Sequence, residues 1–314
     1  MIDKQAIKFI EEVYSVKVIK LCKLNSISLN ENWKLILEDG KVIVLKKTPY
    51  NRKGIQERRE IVKILRMNSI DIIDFFFTEL SGYIWIFYEY IRGNHFVYRN
   101  ISHLKQAAKT LKAIHSVKLS TITSISNNEF LGNPVDYFKN IEFEMTLINN
   151  TIDERFAEKL RFSSDLYSNV DIKKIEKCPT VLIHGDYHGK NLVYDYHNEL
   201  VSILDIDMMG KGFRIMDIAY AAFMLTRNNR GGFTATGETI SNFLFYYLDG
   251  EYLEDIELEL FKMLLTFRIF PKSYYIELLN TNNVEAMNSY IEWSIKALEA
   301  IEAIDITALE KFVY

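Results

Sequence analysis

After a brief amphipathic stretch at the start of the chain, three apolar runs follow in quick succession, at 15–24, 33–37 and 41–47. Loose alternation in the first and β-branched residues in the third predict consecutive antiparallel strands. Asp39-Gly40 lies between the second and third, and that dipeptide suits the left-handed backbone of a tight hairpin. Residues 56–67 change period: Ile61, Ile64 and Leu65 share one helical face, with Arg58, Arg59 and Lys63 elsewhere. Two more strand-like runs, 72–78 and 83–90, flank the turn Ser81-Gly82, and Ile91-Arg92-Gly93 reads as a connector. From Ser102 the helical period takes over, with Leu104, Ala107, Ala108, Leu111, Ile114 and His115 on one face and a similar pattern at 135–149. One β-rich island, 180–206, interrupts the helices, which resume at 216–225, 240–248, 256–270 and 284–301. The prediction is therefore a β-rich unit over residues 1–91 and a mainly helical one over 92–314.

Composition narrows the classes. The 314 residues are 48% hydrophobic and 25% charged, which is enough apolar matter for packed cores in one large or two modest domains. A formal charge of −4 supplies no general drive toward polyanions, so a nucleic-acid partner is not expected. Cys22 and Cys178 are far apart and in no metal-ligand spacing, as expected of a cytoplasmic protein. The first residues lack an apolar signal core, and no apolar run reaches the roughly 18 residues of a membrane span, so no membrane partner is expected. Only four Pro and thirteen Gly occur, and no low-complexity linker or internal repeat divides the chain.

The chemistry concentrates in 181–191, Val-Leu-Ile-His-Gly-Asp-Tyr-His-Gly-Lys-Asn, and in Leu204-Asp205-Ile206-Asp207. Both polar clusters stand at strand ends. Asp186 and Asn191, five residues apart in a tight loop, can aim at one point, the carboxylate orienting a hydroxyl and the amide ligating a hard cation. Asp205, leaving the next strand, supplies a charged cation ligand. Phosphoryl transfer needs these parts, because its transition state is stabilised mainly by positioning and by a divalent ion bridging phosphate oxygens.

The pattern His184-Gly185-Asp186-x-x-x-x-Asn191 with Leu204-Asp205-Ile206-Asp207 resembles the aminoglycoside phosphotransferase and choline kinase superfamily. The resemblance implies an α+β, bilobal protein-kinase-like fold with a small antiparallel β N-lobe and a larger helical C-lobe. It implies ATP and Mg²⁺, with Asp186 as the catalytic base, Asn191 and Asp205 as metal ligands, and Asp207 joining them or binding substrate. Lys46, near the end of the third strand, stands where the superfamily's phosphate-binding lysine would be, and Glu60 on the following helix is its implied partner; Lys47 and Glu57 are rivals. Tyr88-Glu89-Tyr90-Ile91 is similar to a kinase hinge, whose backbone at Glu89 and Ile91 would meet adenine. Asp217, opening Asp217-Ile218-Ala219, resembles a buried aspartate that supports the catalytic loop.

Two departures from protein kinases matter. The segment 26–32, where a glycine-rich phosphate loop would lie, contains no glycine, and only eleven residues separate Asp205 from Asp217, too few for an activation segment that presents a peptide. The resemblance thus points to a hydroxyl on a small molecule: an aminoglycoside, choline or ethanolamine, homoserine or a sugar. A catalytically weak or inactive member, like the spore-coat-associated kinase-like proteins, is the alternative. His184 reads as scaffold, and His188 as either a site-lining or a loop-shaping residue. Trp85 and Trp293 fit core packing better than an aromatic cage, and Glu254, Asp255 and Glu257 fit a solvated helix face better than a docking site for a cation. Acceptor selection would fall to the helices beyond Arg227. The sequence sets no oligomeric state.

Overall fold

The computed structural model describes residues 4–24, 31–48, 52–122, 154–168, 172–229, 231–269 and 284–313. The glycine-free stretch at 26–30 and the helical pattern at 135–149 lie outside them. The N-terminal unit is a five-stranded antiparallel sheet in the order β1 (Val18–Leu24), β2 (Glu31–Leu37), β3 (Val42–Thr48), β5 (Tyr83–Glu89), β4 (Phe76–Leu80). Gly40 turns the β2–β3 hairpin at φ +84°, the left-handed region where a missing Cβ removes the strain. Strand alternation then gives the sheet two different faces. Trp33, Leu35 and Leu37 of β2, Ile43 and Leu45 of β3, and Trp85 and Phe87 of β5 pack with Ala6 and Ile10 of helix α1 (Lys4–Tyr14) into a separate small core. The opposite face carries Val44, Lys46 and Tyr88, and helix α2 (Arg52–Met67) buries Ile55, Ile61, Val62 and Leu65 in the main core.

The run expected as a single strand at 72–78 is divided. Ile72 forms a parallel bridge to Ile203, with Ile73 N–H donating to Ile203 O (3.0 Å) and Ile203 N–H to Asp71 O (2.9 Å), and the antiparallel strand begins only at Phe76. Those bonds tie the N-terminal unit to the island in the helical unit, so Ile72, Ile73 and Phe75 are core residues of the junction.

After the two-residue strand β6 (Asn94–His95) and helix α3 (Ile101–His115), the described chain resumes with α4 (Glu154–Ser168) and the short α5 (Ile172–Ile175). The predicted island resolves into β7 (Thr180–Ile183), β8 (Leu192–Tyr194) and β9 (Leu200–Ile203). A fourth strand, β10 (Gly210–Phe213), pairs antiparallel with β7, and β6 pairs with β8. Helices α6 (Arg214–Leu225), α7 (Gly237–Leu248), α8 (Asp255–Ile269) and α9 (Val284–Glu302) follow in the helical unit. Every residue of α6 from Ile215 to Leu225 is buried, so it is the central helix against which α7 and α8 pack. Cys22 and Cys178 are free thiols. Among the described residues no helix is long and apolar enough to cross a membrane.

Candidate active site

The loop between β7 and β8 is fixed from beneath by Asp217, near the start of α6. Its Oδ2 accepts the backbone N–H of His184 (2.8 Å) and its Oδ1 that of Gly185 (2.9 Å), while His115 Nε2 lies 3.0 Å from Oδ2. His115 in turn meets Tyr247 Oη at 2.7 Å, so a chain of buried groups reaches from α7 to the loop. Burial alone would raise the Asp217 carboxyl, but the bonds and charge from His115 and the loop hold it below its ordinary value. Gly185 takes φ +79°, which reverses the chain and presents Asp186 to the cleft.

His184 is fully buried and serves as scaffold: Nδ1 accepts the Asp186 N–H (3.2 Å) and Nε2 donates to Leu204 O (3.2 Å). Burial lowers its pKa, so the ring is neutral. The ring of His188 does two things at once. Nδ1 accepts the Lys190 N–H at 3.2 Å, shaping the loop, and Nε2 lies 3.4 Å from Asp186 Oδ2, lining the site. Asn191 closes the loop by donating from Nδ2 to Asp186 O (2.9 Å) and Oδ2 (3.3 Å), which leaves its amide oxygen for another partner.

Asp186 has further neighbours that the sequence did not reveal. Arg268, near the end of α8, donates from Nη2 to Asp186 Oδ1 (2.6 Å) and from Nε to Gly185 O, and Tyr220 of α6 donates to the same Oδ1 at 3.0 Å. The guanidinium lies 4.1 Å from the Tyr220 ring centroid. Burial works to raise the Asp186 carboxyl, yet His188 and Arg268 outweigh it and hold the group well below the usual carboxylate range. The only signal available in the sequence was a single charge inside the apolar run Leu264-Leu265-Thr266-Phe267-Arg268-Ile269.

Across the cleft, Lys46 lies on the sheet face turned toward this loop and pairs with Asp205 Oδ1 (3.1 Å) and Asp207 Oδ2. Burial would lower the Lys46 pKa, but the two carboxylates raise it above the ordinary lysine value, so the ammonium is charged. Lys47, one residue on, falls on the other face with its ammonium 3.3 Å from the Tyr83 ring centroid. The resemblance implied Glu60 as the lysine's partner; among the described residues its ion partners are the two aspartates, while Glu60 is half-buried on α2 and Glu57 is buried beside Arg58. Asp205 holds φ +56°, a strained value for a residue with a Cβ and common where a carboxylate must be aimed. Tyr88, on the same face as Lys46, is raised to about 12, chiefly by burial. At the connector, Tyr90 N–H donates to Val42 O (2.8 Å), with Glu89 exposed beside it and Ile91 packed against the main core.

Among the described residues no three His, Cys, Asp or Glu side chains cluster tightly enough to hold a metal by themselves. The donors present are two carboxylates and one amide oxygen, hard ligands that suit Mg²⁺ sharing its sphere with phosphate and water. One expectation is corrected outright. Glu257 is not on a solvated face; it is wholly buried, engaged at both oxygens by Arg214 (Nε to Oε1 2.8 Å) and accepting the Glu254 N–H at 3.0 Å. Only a paired guanidinium makes such a buried carboxylate tolerable.

An antiparallel sheet lobe over a helical lobe, joined beside a loop held by a buried aspartate, defines a protein-kinase-like fold. The phosphotransferase enzyme family profile matches residues 20–253, and the chain belongs to that family. It is 24% identical over 121 residues to a probable aminoglycoside 3′-phosphotransferase of Lactococcus lactis subsp. lactis (strain IL1403), a match spanning 38% of this chain and under half, 44%, of that protein. Among solved structures it is similar to the phosphotransferase APH(2″)-IIia in complex with GDP and kanamycin, with a TM-score of 0.69 at 13% identity, covering 96% of this chain and 99% of that one. It is also similar to the amicoumacin kinase hAmiN in complex with AMP-PNP, Ca²⁺ and Ami, with a TM-score of 0.62 at 14% identity and 98% and 97% coverage.

Proposed function

We propose that this phosphotransferase uses ATP and Mg²⁺ and moves the γ-phosphoryl group to a hydroxyl of a small molecule. The observation that supports it most is the meeting of Lys46 with Asp205 and Asp207 across the cleft from the loop that carries Asp186. Lys46 would hold the α and β phosphates, and the backbone at Glu89 and Ile91 the adenine edge. Asn191, Asp205 and Asp207 would hold Mg²⁺, which would supply positive charge to offset that of the phosphates.

Asp186 accepts the acceptor's hydroxyl proton in this reading. Its pKa is depressed, so it is a weak base held ionised, and its main work is to orient the hydroxyl. That suits a loose transition state, in which the nucleophile needs aim more than activation. Kinases and phosphotransferases acting on small molecules recur among the similar proteins, and the short span from Asp205 to Asp217 leaves no peptide platform.

The test is ADP release by the purified chain with Mg·ATP across aminoglycosides, amino alcohols, homoserine, sugars and hydroxy acids, beside Asp186→Asn with its fold checked by circular dichroism. Acceptor-dependent turnover in the wild type that disappears in a folded Asp186→Asn supports the reading. A wild type that neither binds Mg·ATP nor releases ADP overturns it.

A further inference from the structure

Beyond α6, the helix whose Tyr220 touches Asp186, another buried arginine has no carboxylate partner among the described residues. Arg227, two residues beyond α6, is 3% exposed, and among the described residues it forms no ion pair. Its Nε donates to Met224 O (3.1 Å) and its Nη2 to Tyr98 Oη (3.3 Å), while Nη1 is buried and has no hydrogen-bond partner among the described residues. Two rings flank the guanidinium, Tyr98 at 5.7 Å and Phe233 at 5.2 Å from centroid to Cζ. Burying a cation in this way is costly unless something compensates it, and aromatic faces compensate only part. Two other arginines of the same molecule are paired, Arg268 with Asp186 and Arg214 with Glu257.

The position of Arg227 ties it to the site. It stands seven residues after Tyr220, the α6 residue that donates to Asp186, and just past the C-terminal end of that helix. Its charge is felt at the Tyr220 hydroxyl. Tyr98 packs edge-on against Phe96, and Phe96 lies against Gly189 of the catalytic loop, its N–H donating to Gly189 O (3.2 Å). Phe233, which covers the other side, lies between α6 and α7 and is itself packed on the rings of Phe223 (5.9 Å) and Trp293 (5.7 Å).

We propose that Arg227 binds an anionic group of the acceptor, a carboxylate or a phosphate, beside the hydroxyl that Asp186 orients. The acceptor class is then a hydroxy acid or a phosphorylated polyol. A planar guanidinium with a free Nη1 edge suits either anion. A polycation such as an aminoglycoside would bring more positive charge to a side of the site where Asp186 is already neutralised by Arg268. This assignment rests on the phosphotransferase reading of the site.

The experiment is thermal unfolding of the full chain with saturating Mg·AMP-PNP, titrated with matched probes: glycerate against glycerol, gluconate and glucose 6-phosphate against glucose, with inorganic phosphate and kanamycin alongside. The expected result is a saturable rise in Tm for an anionic probe and none for its neutral partner. Arg227→Met should weaken that response roughly 10- to 100-fold, the worth of a charge-assisted hydrogen bond, and Arg227→Lys should keep part of it. ADP release should show the same loss in the ratio of kcat/KM between the charged and neutral acceptors. Without added probe, Arg227→Met should unfold at the same temperature as wild type or higher, since an uncompensated charge is removed.

The inference is overturned if no anionic probe outdoes its neutral partner, if protection survives Arg227→Met, or if that variant lowers Tm of the unliganded chain by several degrees, which would mark a structural arginine. A carboxylate and a phosphate are told apart by which arm responds. Protection by Mg·AMP-PNP alone reports separately on the kinase reading, so failure of one leaves the other standing.

Discussion

Asp186→Asn is the natural variant for removing the proposed catalytic base, and the structure says it will also cost stability. The carboxylate is the charge partner of Arg268, with the two side chains 22% and 10% exposed. Breaking a fully buried pair costs about 3–5 kcal/mol and an exposed one less than about 1, so this pair, near the buried end, should lose about 2–3 kcal/mol. Arg268→Met should lose a similar amount, because among the described residues Asp186 then keeps His188, Tyr220 and Asn191 and the Gly185 carbonyl loses its Arg268 donor. The double variant removes both charges and should be little worse than either single one. Urea unfolding of the four proteins then gives a coupling energy of about 2–3 kcal/mol. A coupling below about 0.5 kcal/mol would refute the view that Arg268 holds the base. The pH dependence supplies a second reading. A carboxyl whose folded pKa is depressed contributes stability above its unfolded pKa near 4, and that contribution fades as pH falls toward the folded value. Arg268→Met lets the pKa rise, so its stability should fall less steeply than wild type below about pH 4.

Asp217→Ala strands the N–H groups of His184 and Gly185 and the His115 ring, and urea unfolding should show a loss of roughly 3–5 kcal/mol. A loss under about 1 kcal/mol would mean that the loop is held by something else. Lys46→Met leaves Asp205 and Asp207 facing one another without an ammonium, and with Asp205 partly exposed the loss should be about 2–3 kcal/mol. Millimolar MgCl₂ should return more of that stability to the variant than it adds to wild type; equal responses would argue against these carboxylates as cation ligands. In Gly93→Ala the new Cβ would stand 2.5 Å from Tyr194 O and 2.6 Å from Val193 Cγ1, an overlap costing about 1–3 kcal/mol and visible as a lowered Tm.

The elements legible in the sequence were those that declare themselves locally. Asp39-Gly40 marks its own hairpin, and α2 and α8 show their apolar period within a dozen residues. Strand β10 was invisible because Gly210-Lys211-Gly212-Phe213 has no strand pattern of its own; it is a strand because β7 pairs with it, and Gly212 is small because Ile183 lies across it. Strand β6, two residues long, offers no period to read. The loop from His184 to Asn191 was legible as chemistry because its polar residues are close in sequence. Lys46 and Lys47 became distinguishable only with the sheet's two faces in view. Glu257 was misread and Arg268 passed over for one reason. A charge on a helix reads as a solvated position unless its partner is known, and the partners, Asp186 and Arg214, lie 82 and 43 residues away.

The charged groups of the cleft are paired within the protein, and that would constrain how it binds a nucleotide. Lys46 pairs with both Asp205 and Asp207, which leaves one carboxylate charge in excess, and Asp186 pairs with Arg268. For Asp205 and Asp207 to turn to a divalent cation, Lys46 must give up part of its pairing, and a polyphosphate is the partner that can take the ammonium over. Each ion pair lost is then replaced by another of the same sign pattern, so the exchange leaves no buried charge bare and its net free energy is a small difference between large terms. The cation and the polyphosphate are thereby coupled: each frees the protein group that the other needs. Mg²⁺ should therefore bind better with the nucleotide present than alone, and the nucleotide better with Mg²⁺, by the same factor, as linkage requires. Arg227 belongs to none of these pairs, and for that reason its compensating charge is sought on the acceptor.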